Sequence, residues 1–404
     1  MSPSRDSPKV LVIGGGGTGA AVAWDLSQRG FKTVLVERGE LTSGTTGRHH
    51  GQLHSGARYV VTDPATARIC FEESLVLCRI AGDTIEMNNG LFVAIDDEGM
   101  EYLPKFLEGC KTIGIPAKLV GSDVVRKMEP ALSDKIIEAV VVPDGTIDAW
   151  RLPLRFFAAA RRAGAEIKRF TEVKHLDIHN GVVTGALVID LVRGEDSRID
   201  ADLVVNAAGA WAGKIAAMAG VRMDITSSPG ALVAARGRLV NMVISKLYPP
   251  GDGDIIVPQR QLSIIGTTQS IIDNPDECAA TEVEVEELIS AAAQLVPSFA
   301  SAPIHAAWSA PRPLASGVRK EDYESIRGLS RGFRCIDHTE IDGIEGFVSV
   351  VGGKATVLRA MGERTVDMVC RKLGLESTCR TKEIVLPDHR SFFRETVPIS
   401  KEGV

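Results

Sequence analysis

The sequence predicts an α/β fold with α+β elements, in which a Rossmann-type dinucleotide-binding domain is interleaved with an antiparallel-sheet substrate domain. Three observations predict it. Residues 10–37 run strand, glycine loop, helix, strand and acidic residue in the order a nucleotide-binding unit requires. An apolar strand ending in Asn206-Ala-Ala-Gly209 and a Gly352-Gly353 pair before a closing helix supply two further glycine-bearing strand ends far downstream. Between them, residues 86–142 and 231–309 carry strand-like runs separated by turn residues.

Taken in order, Val10 to Ile13 read as a buried strand, Gly14-x-Gly16-x-x-Gly19 as its turn, Ala20 to Arg29 as a helix, and Thr33 to Val36 as a strand ending in Glu37. Glycines let the backbone turn tightly beside a pyrophosphate, the helix N-terminus offers N–H groups, and a carboxylate about 20 residues on accepts from ribose hydroxyls. Glu37 would repel a 2′-phosphate. Pro64 to Ile80 has helical spacing, with Ile69, Leu75, Val76 and Ile80 on related faces and Asp63-Pro64 as its start. Glu86 to Ile95 reads as a strand, Met100 to Ile113 as a helix, and Ile136 to Val142 as a strand, together an insertion with its own sheet.

Trp150 to Ala163 reads as a helix, Glu166 to Phe170 as a strand, 173–200 as a meander turning at Asn180-Gly181 and Arg193-Gly194, and Asp202 to Asn206 as a return to the nucleotide sheet. Strands follow at Ala231 to Leu239, Ile255 to Pro258, Leu262 to Thr267, Ile304 to Ser309 and Phe347 to Val351. Helices are read at Thr281 to Leu295 and Lys354 to Leu373. Gly352-Gly353 is either a turn or a second anion or flavin cradle. The domains are expected to be discontinuous: 1–85 with 145–225 and 340–404 for the nucleotide, and 86–144 with 226–339 for the substrate.

With 404 residues the chain has material for about two packed domains, and a formal net charge of −6 argues against nucleic acid as a partner. No apolar run nears the roughly 18 residues that span a bilayer, and MSPSRDSPK leads straight into the first strand, so neither a transmembrane segment nor a signal peptide is expected. Seven cysteines without a C-x-x-C pair fit reduced thiols in a cytoplasm. Eight histidines without a convergent set of other ligands are poor metal evidence, and no metal is expected. Spacing alone does not separate NAD from FAD, although three distant glycine-bearing segments closing on one long cofactor suit FAD better.

The ordered set IGGGGTG, TTGRHHGQLHSGARY, NNGLFV, VPDGTID, VVNAAGAWAGKIA, IIGTT, SAPRPL, GFVSVVGGKAT and VCRKLG covers nearly the whole chain. It resembles the FAD-dependent glycerol-3-phosphate dehydrogenases, most closely the large catalytic subunit of the anaerobic enzyme, within the D-amino-acid-oxidase-like flavoprotein superfamily. The resemblance implies non-covalent FAD, its ADP half held by Gly14, Gly15, Gly16, Gly17, Thr18, Gly19, Glu37 and Arg38. Thr45, Thr46, Gly47, His50, Gly51, Gln52, Leu53 and His54 would approach the pyrophosphate and isoalloxazine. Val173 would meet the adenine, and Ala208, Gly209 and Trp211 would line the nucleotide side. Gly353, Lys354, Ala355 and Thr356 would lie at the flavin's pyrimidine end, where positive charge favours the reduced anion.

By the same resemblance Arg58, Tyr59, Arg312, Arg331 and Lys354 would surround a polyol phosphate, Arg312 also bordering the cofactor; the arginine fork suits phosphate. His54 is the favoured base, with His50 and His305 as the other candidates. Two departures stand out: His49 replaces the family's usual asparagine, and SAPRPL replaces a strand richer in glycine and valine. The cysteine-rich [2Fe-2S] domain of the anaerobic family is not matched within these residues, so electrons are expected to pass to a quinone, a partner subunit or oxygen, in a cytoplasmic protein with peripheral contact at the membrane's inner face. The resulting expectation is oxidation of glycerol 3-phosphate to dihydroxyacetone phosphate. Oxidation of an amino or 2-hydroxy acid, and a non-catalytic flavin-binding subunit, remain as alternatives.

Overall fold

The computed structural model describes residues 7–251, 253–314 and 332–394. Its nucleotide-side sheet has six strands in the order Phe333–Asp337, Phe347–Gly352, Leu203–Asn206, Lys9–Ile13, Lys32–Val36 and Glu166–Lys168. All pairings are parallel except that of the Phe333–Asp337 edge.

Strand alternation sorts side chains between two cores. Val10, Val12, Leu35, Leu203, Val205, Val348 and Val350 face the helices Gly17–Gln28, Arg151–Arg162 and Leu358–Lys372, where Trp24 meets Phe156 edge-on at 5.4 Å. Leu11, Ile13, Val34, Val36, Val204 and Phe347 face the meander of Thr171–His179, Val182–Asp190 and Glu195–Asp200. A parallel sheet covered on both faces needs such uninterrupted apolar strands, which is why they were legible. The meander turns where Asn180 and Gly181 both take positive φ, as a two-residue hairpin requires.

The second sheet has eight strands in the order Ile304–Leu314, Thr226–Arg236, Leu262–Gly266, Ile255–Gln259, Val243–Lys246, Gly90–Ala94, Glu138–Val142 and Lys118–Gly121. One face packs on the helix Glu282–Leu295, which opens with a capping box between Thr281 and Glu284. The strands from 86–142 do not form a sheet of their own, because Gly90–Val93 pairs in parallel with Val243–Lys246 and joins them to the larger sheet. The edge strand Phe333–Asp337 belongs to the six-stranded sheet although the expected boundary at 339/340 set it with the substrate segments.

Lys118–Gly121 and the helix Ser122–Met128 had not been expected; they are mostly exposed and carry little apolar period. Leu75 is 54% exposed instead of sharing the buried face of Pro64–Ala81. It directly precedes Val76, and adjacent residues on a helix point about 100° apart. The helix Asp97–Ile113 starts ahead of Met100 because Asp96 accepts the Gly99 amide at 2.9 Å and caps it.

Candidate functional site

One cavity of about 1180 Å³ runs between the two sheets, larger than the roughly 300–1,000 Å³ of common small-molecule sites. Its nucleotide end is built from backbone. Gly14 sits at φ +114, and a Cβ there would fall 2.5 Å from the Ala207 carbonyl. At Gly19 a Cβ would fall 1.9 Å from the Gly14 carbonyl, so both positions admit only glycine. Gly16 caps the helix with no side-chain bond, leaving a helix N-terminus beside the cavity, while Thr46 Oγ1 accepts the Gly17 amide at 3.0 Å.

Glu37 Oε2 accepts the Gly15 amide at 2.7 Å and Oε1 the Gly39 amide at 2.8 Å. Each oxygen keeps a lone pair for another donor, so the carboxylate fits ribose hydroxyls and opposes a 2′-phosphate. A Cβ on Gly15 would strike Glu37 Cβ at 2.7 Å, and the two close on each other as one unit. These features fit a dinucleotide.

Of the residues expected at the cofactor, Gly14, Gly16, Gly17, Thr18, Glu37, Arg38, Thr45, Thr46, His50, Gln52, His54, Val173, Ala208, Gly209, Trp211, Arg312, Gly353, Lys354 and Ala355 line the cavity. Gly15, Gly19, Gly47, Gly51, Leu53 and Thr356 stand behind that lining. Gly47 packs on the Thr42 carbonyl, Leu53 is fully buried, and Thr356 Oγ1 accepts the His54 amide at 3.1 Å. The Thr45 hydroxyl donates to the Pro311 carbonyl at 2.5 Å, tying the flavin-side turn to the substrate sheet.

At the other end the turn Ala57–Tyr59 carries Arg58 and Tyr59, held by packing of Ala57, Tyr59 and Val60 against Phe92, Val140 and Phe106. The rings of His49, His50, His54 and Tyr59 follow one another at 6.4, 6.1 and 5.6 Å, and Lys354 Nζ lies 4.2 Å from the Tyr59 ring centre. Arg312 is held by bonds from Nε to the Ser228 carbonyl at 3.1 Å, from Nη1 to Thr267 Oγ1 at 3.0 Å and from Nη2 to the Thr268 carbonyl at 3.0 Å. Room for its guanidinium comes from Gly230, where a Cβ would sit 3.1 Å from Arg312 Cζ.

The imidazoles are held neutral. Burial pushes His49 down to about 4, and burial, then the neighbouring His49, Arg58 and Arg312, pushes His50 down to about 3. Burial first, then His50, Lys354 and Arg58, holds His54 well below its ordinary value. His305 lies on an exposed stretch of Ile304–Leu314 and does not line the cavity, which removes it as a base candidate. Arg331 lies outside the described residues.

Sequence reasoning missed several lining residues. Asp254, 8% exposed, pairs with Arg58. Asp276 receives Arg38 Nη2 at 2.6 Å, Trp211 Nε1 at 2.8 Å and Lys214 Nζ at 2.8 Å on the cavity rim, with the Arg38 guanidinium 4.7 Å from the Trp211 ring centre. Burial opposes its charge, yet the bonds from Lys214, Arg38 and Trp211 hold Asp276 below the usual carboxylate range. Only the turn-rich runs around these acids hinted at loops; their partners are remote in sequence.

The model of the family described as "FAD dependent oxidoreductase" matches residues 9–368. The chain is 42% identical over 400 residues to the A1 subunit of anaerobic glycerol-3-phosphate dehydrogenase from Haloferax volcanii, spanning 96% of this chain and 68% of that one. It is 40% identical over 388 residues to the A subunit of the Escherichia coli K12 enzyme, spanning 95% and 71%. Among solved structures, the Bacillus halodurans glycerol-3-phosphate dehydrogenase complexed with FAD superposes with a TM-score of 0.72 at 22% identity, over 97% of this chain and 71% of that one. The FAD-bound L-alpha-glycerophosphate oxidase of Mycoplasma pneumoniae gives 0.75 at 19% identity, over 95% and 100%. These structural likenesses carry the D-amino-acid-oxidase-like fold alone. The chain belongs to the FAD dependent oxidoreductase family, with FAD as its cofactor, and within it to the glycerol-3-phosphate dehydrogenases that include the anaerobic A subunits.

Proposed function

We propose that this enzyme oxidises the secondary alcohol of a polyol phosphate, sn-glycerol 3-phosphate to dihydroxyacetone phosphate. The observation that carries the reading is the His54 imidazole beside Tyr59, over whose ring Lys354 lies, in the cavity that Arg312 and the dinucleotide cradle also line. Bound FAD supplies the two-electron acceptor for the hydride that leaves C2. His54 takes the hydroxyl proton as the C2–O bond becomes a carbonyl, so one hydride and one proton leave the alcohol together.

Arg312 and Lys354 bind the phosphate and orient C2. Arg312 is preorganised for this by its bonds to Ser228, Thr267 and Thr268. Burial is the main cause that depresses His54, but Lys354 adds to it, and a phosphate dianion on Lys354 would offset that part and raise the basicity of the proton acceptor. Tyr59 holds Lys354 over its ring.

Electrons then pass to an acceptor subunit or a quinone. The relatives are named as A subunits, which supports a partner, and no described helix is long and apolar enough to cross a membrane. In this reading the protein is cytoplasmic, with peripheral contact at the membrane's inner face. Anaerobic titration tests the reaction: glycerol 3-phosphate bleaches the bound flavin, whereas lactate, 2-hydroxyglutarate and amino acids do not. Bleaching by one of those acids and not by any polyol phosphate would replace this reading with that of an acid oxidase.

A further inference from the structure

Arg58 and Asp254 meet at the substrate end of the cavity, one on the turn Ala57–Tyr59 and the other just before the strand Ile255–Gln259. Arg58 Nη2 donates to Asp254 Oδ1 at 2.8 Å and to the Gly251 carbonyl at 3.2 Å. Asp254 Oδ2 in turn accepts the Gly251 amide at 3.1 Å, which anchors the carboxylate in its loop. Both side chains are more than nine-tenths buried, and Arg58 Nη1 has no acceptor among the described residues.

A phosphate dianion drawn to Arg58 would stand beside the Asp254 carboxylate and carry a like-charge penalty in a poorly solvated place. A hydroxyl carries none. It donates to a carboxylate and accepts from a guanidinium, so it satisfies both members of an ion pair without adding charge. We propose that Asp254 is a specificity-determining residue that, with Arg58, forms a subsite for the terminal, unphosphorylated hydroxyl of the substrate. The inference rests on the polyol phosphate reading and fixes the orientation of that substrate, with its phosphate turned away from Arg58 toward Arg312 and Lys354.

The test compares glycerol 3-phosphate with propane-1,2-diol 1-phosphate, which keeps the phosphate and the secondary alcohol but lacks the terminal hydroxyl. In anaerobic reduction of the FAD-loaded wild-type enzyme, the apparent Kd favours glycerol 3-phosphate by roughly tenfold or more, the scale of a hydrogen bond to a charged group. Asp254→Ala collapses that preference to within about twofold, chiefly by weakening glycerol 3-phosphate, while Asp254→Asn, which keeps an acceptor oxygen, retains part of it. A fluorinated analogue needs no variant: fluorine in place of the terminal hydroxyl cannot donate to Asp254, so the compound binds as weakly as the deoxy one.

Equal weakening of both substrates in Asp254→Ala overturns the subsite. So does tighter binding of both, the result expected of a phosphate seated at Arg58. A fluorinated analogue that binds like glycerol 3-phosphate overturns it as well. If no polyol phosphate bleaches the wild-type flavin, the polyol phosphate reading falls and takes this inference with it; bleaching without discrimination sinks the inference alone.

Discussion

Asp144 accepts the backbone N–H of Ser55 at 2.6 Å, across 89 residues of chain, and so holds the segment that carries His54 and Arg58 against the second sheet. The same carboxylate accepts Gln52 Nε2 at 2.8 Å. Gly90 makes room for it, since a Cβ there would fall 2.9 Å from Asp144 Cβ.

The Ser55 N–H needs an oxygen, so in Asp144→Asn the NH₂ faces Gln52, whose side-chain amide can rotate to offer Oε1, an oxygen with no partner among the described residues. We expect Asp144→Ala to destabilise the protein by about 2–3 kcal/mol, because buried donors are left unsatisfied, and Asp144→Asn to cost clearly less. Thermal melts of the flavin-loaded protein measure this. An Ala variant as stable as wild type would mean that the carboxylate does not hold these two donors.

Stability should fall on the acid side. The cavity histidines have folded pKa values below the unfolded value of 6.5, about 4 for His49 and about 3 for His50, with His54 also lowered. The unfolded chain binds more protons once the pH drops below 6.5, so stability is intact above that value and is lost as the pH falls toward 4 and then 3. The slope from each imidazole is at most about 1.4 kcal/mol per pH unit. Chemical denaturation at stepped pH should show His50→Gln with a shallower decline than wild type, and identical slopes would contradict the assignment.

Glu73 receives Arg359 Nε at 2.7 Å and Nη2 at 2.5 Å, and Arg359 is 1% exposed. Removing one partner of a buried pair typically costs about 3–5 kcal/mol. Glu73→Ala should fall near the low end, because Glu363 still faces Arg359 at 2.7 Å. The double variant Glu73→Leu with Arg359→Met should recover much of the loss in urea titrations.

Asp276 joins Arg38, Trp211 and Lys214 across the rim beside Glu37. We expect Asp276→Ala to release FAD several-fold faster, in keeping with exposed pairs worth roughly 0.2–1 kcal/mol each. High salt should speed release from wild type and have little effect on the variant, followed by the rise in free flavin fluorescence. Equal salt sensitivity in the two proteins would rule out the rim contacts as a brake on release.

The parts legible in the sequence are those whose causes are local. Gly19 needs glycine because the Gly14 carbonyl of the same turn crowds it, and Val10 to Ile13 read as a buried strand because every residue is apolar. The strands Val243–Lys246 and Phe333–Asp337 were not legible. The first is four residues long, and the second has no buried face to set a period.

The sequence by itself therefore determined a dinucleotide cradle, its acidic ribose partner and, through an ordered set of motifs, the family. Only the tertiary structure decided that Asp254 meets Arg58 across 196 residues, that Asp276 closes the rim, and that His305 stands apart from His50 and His54. The physical reason is that glycine loops and apolar periods are dictated by neighbours along the chain. An ion pair between remote segments exists only once the register of two sheets has brought them together.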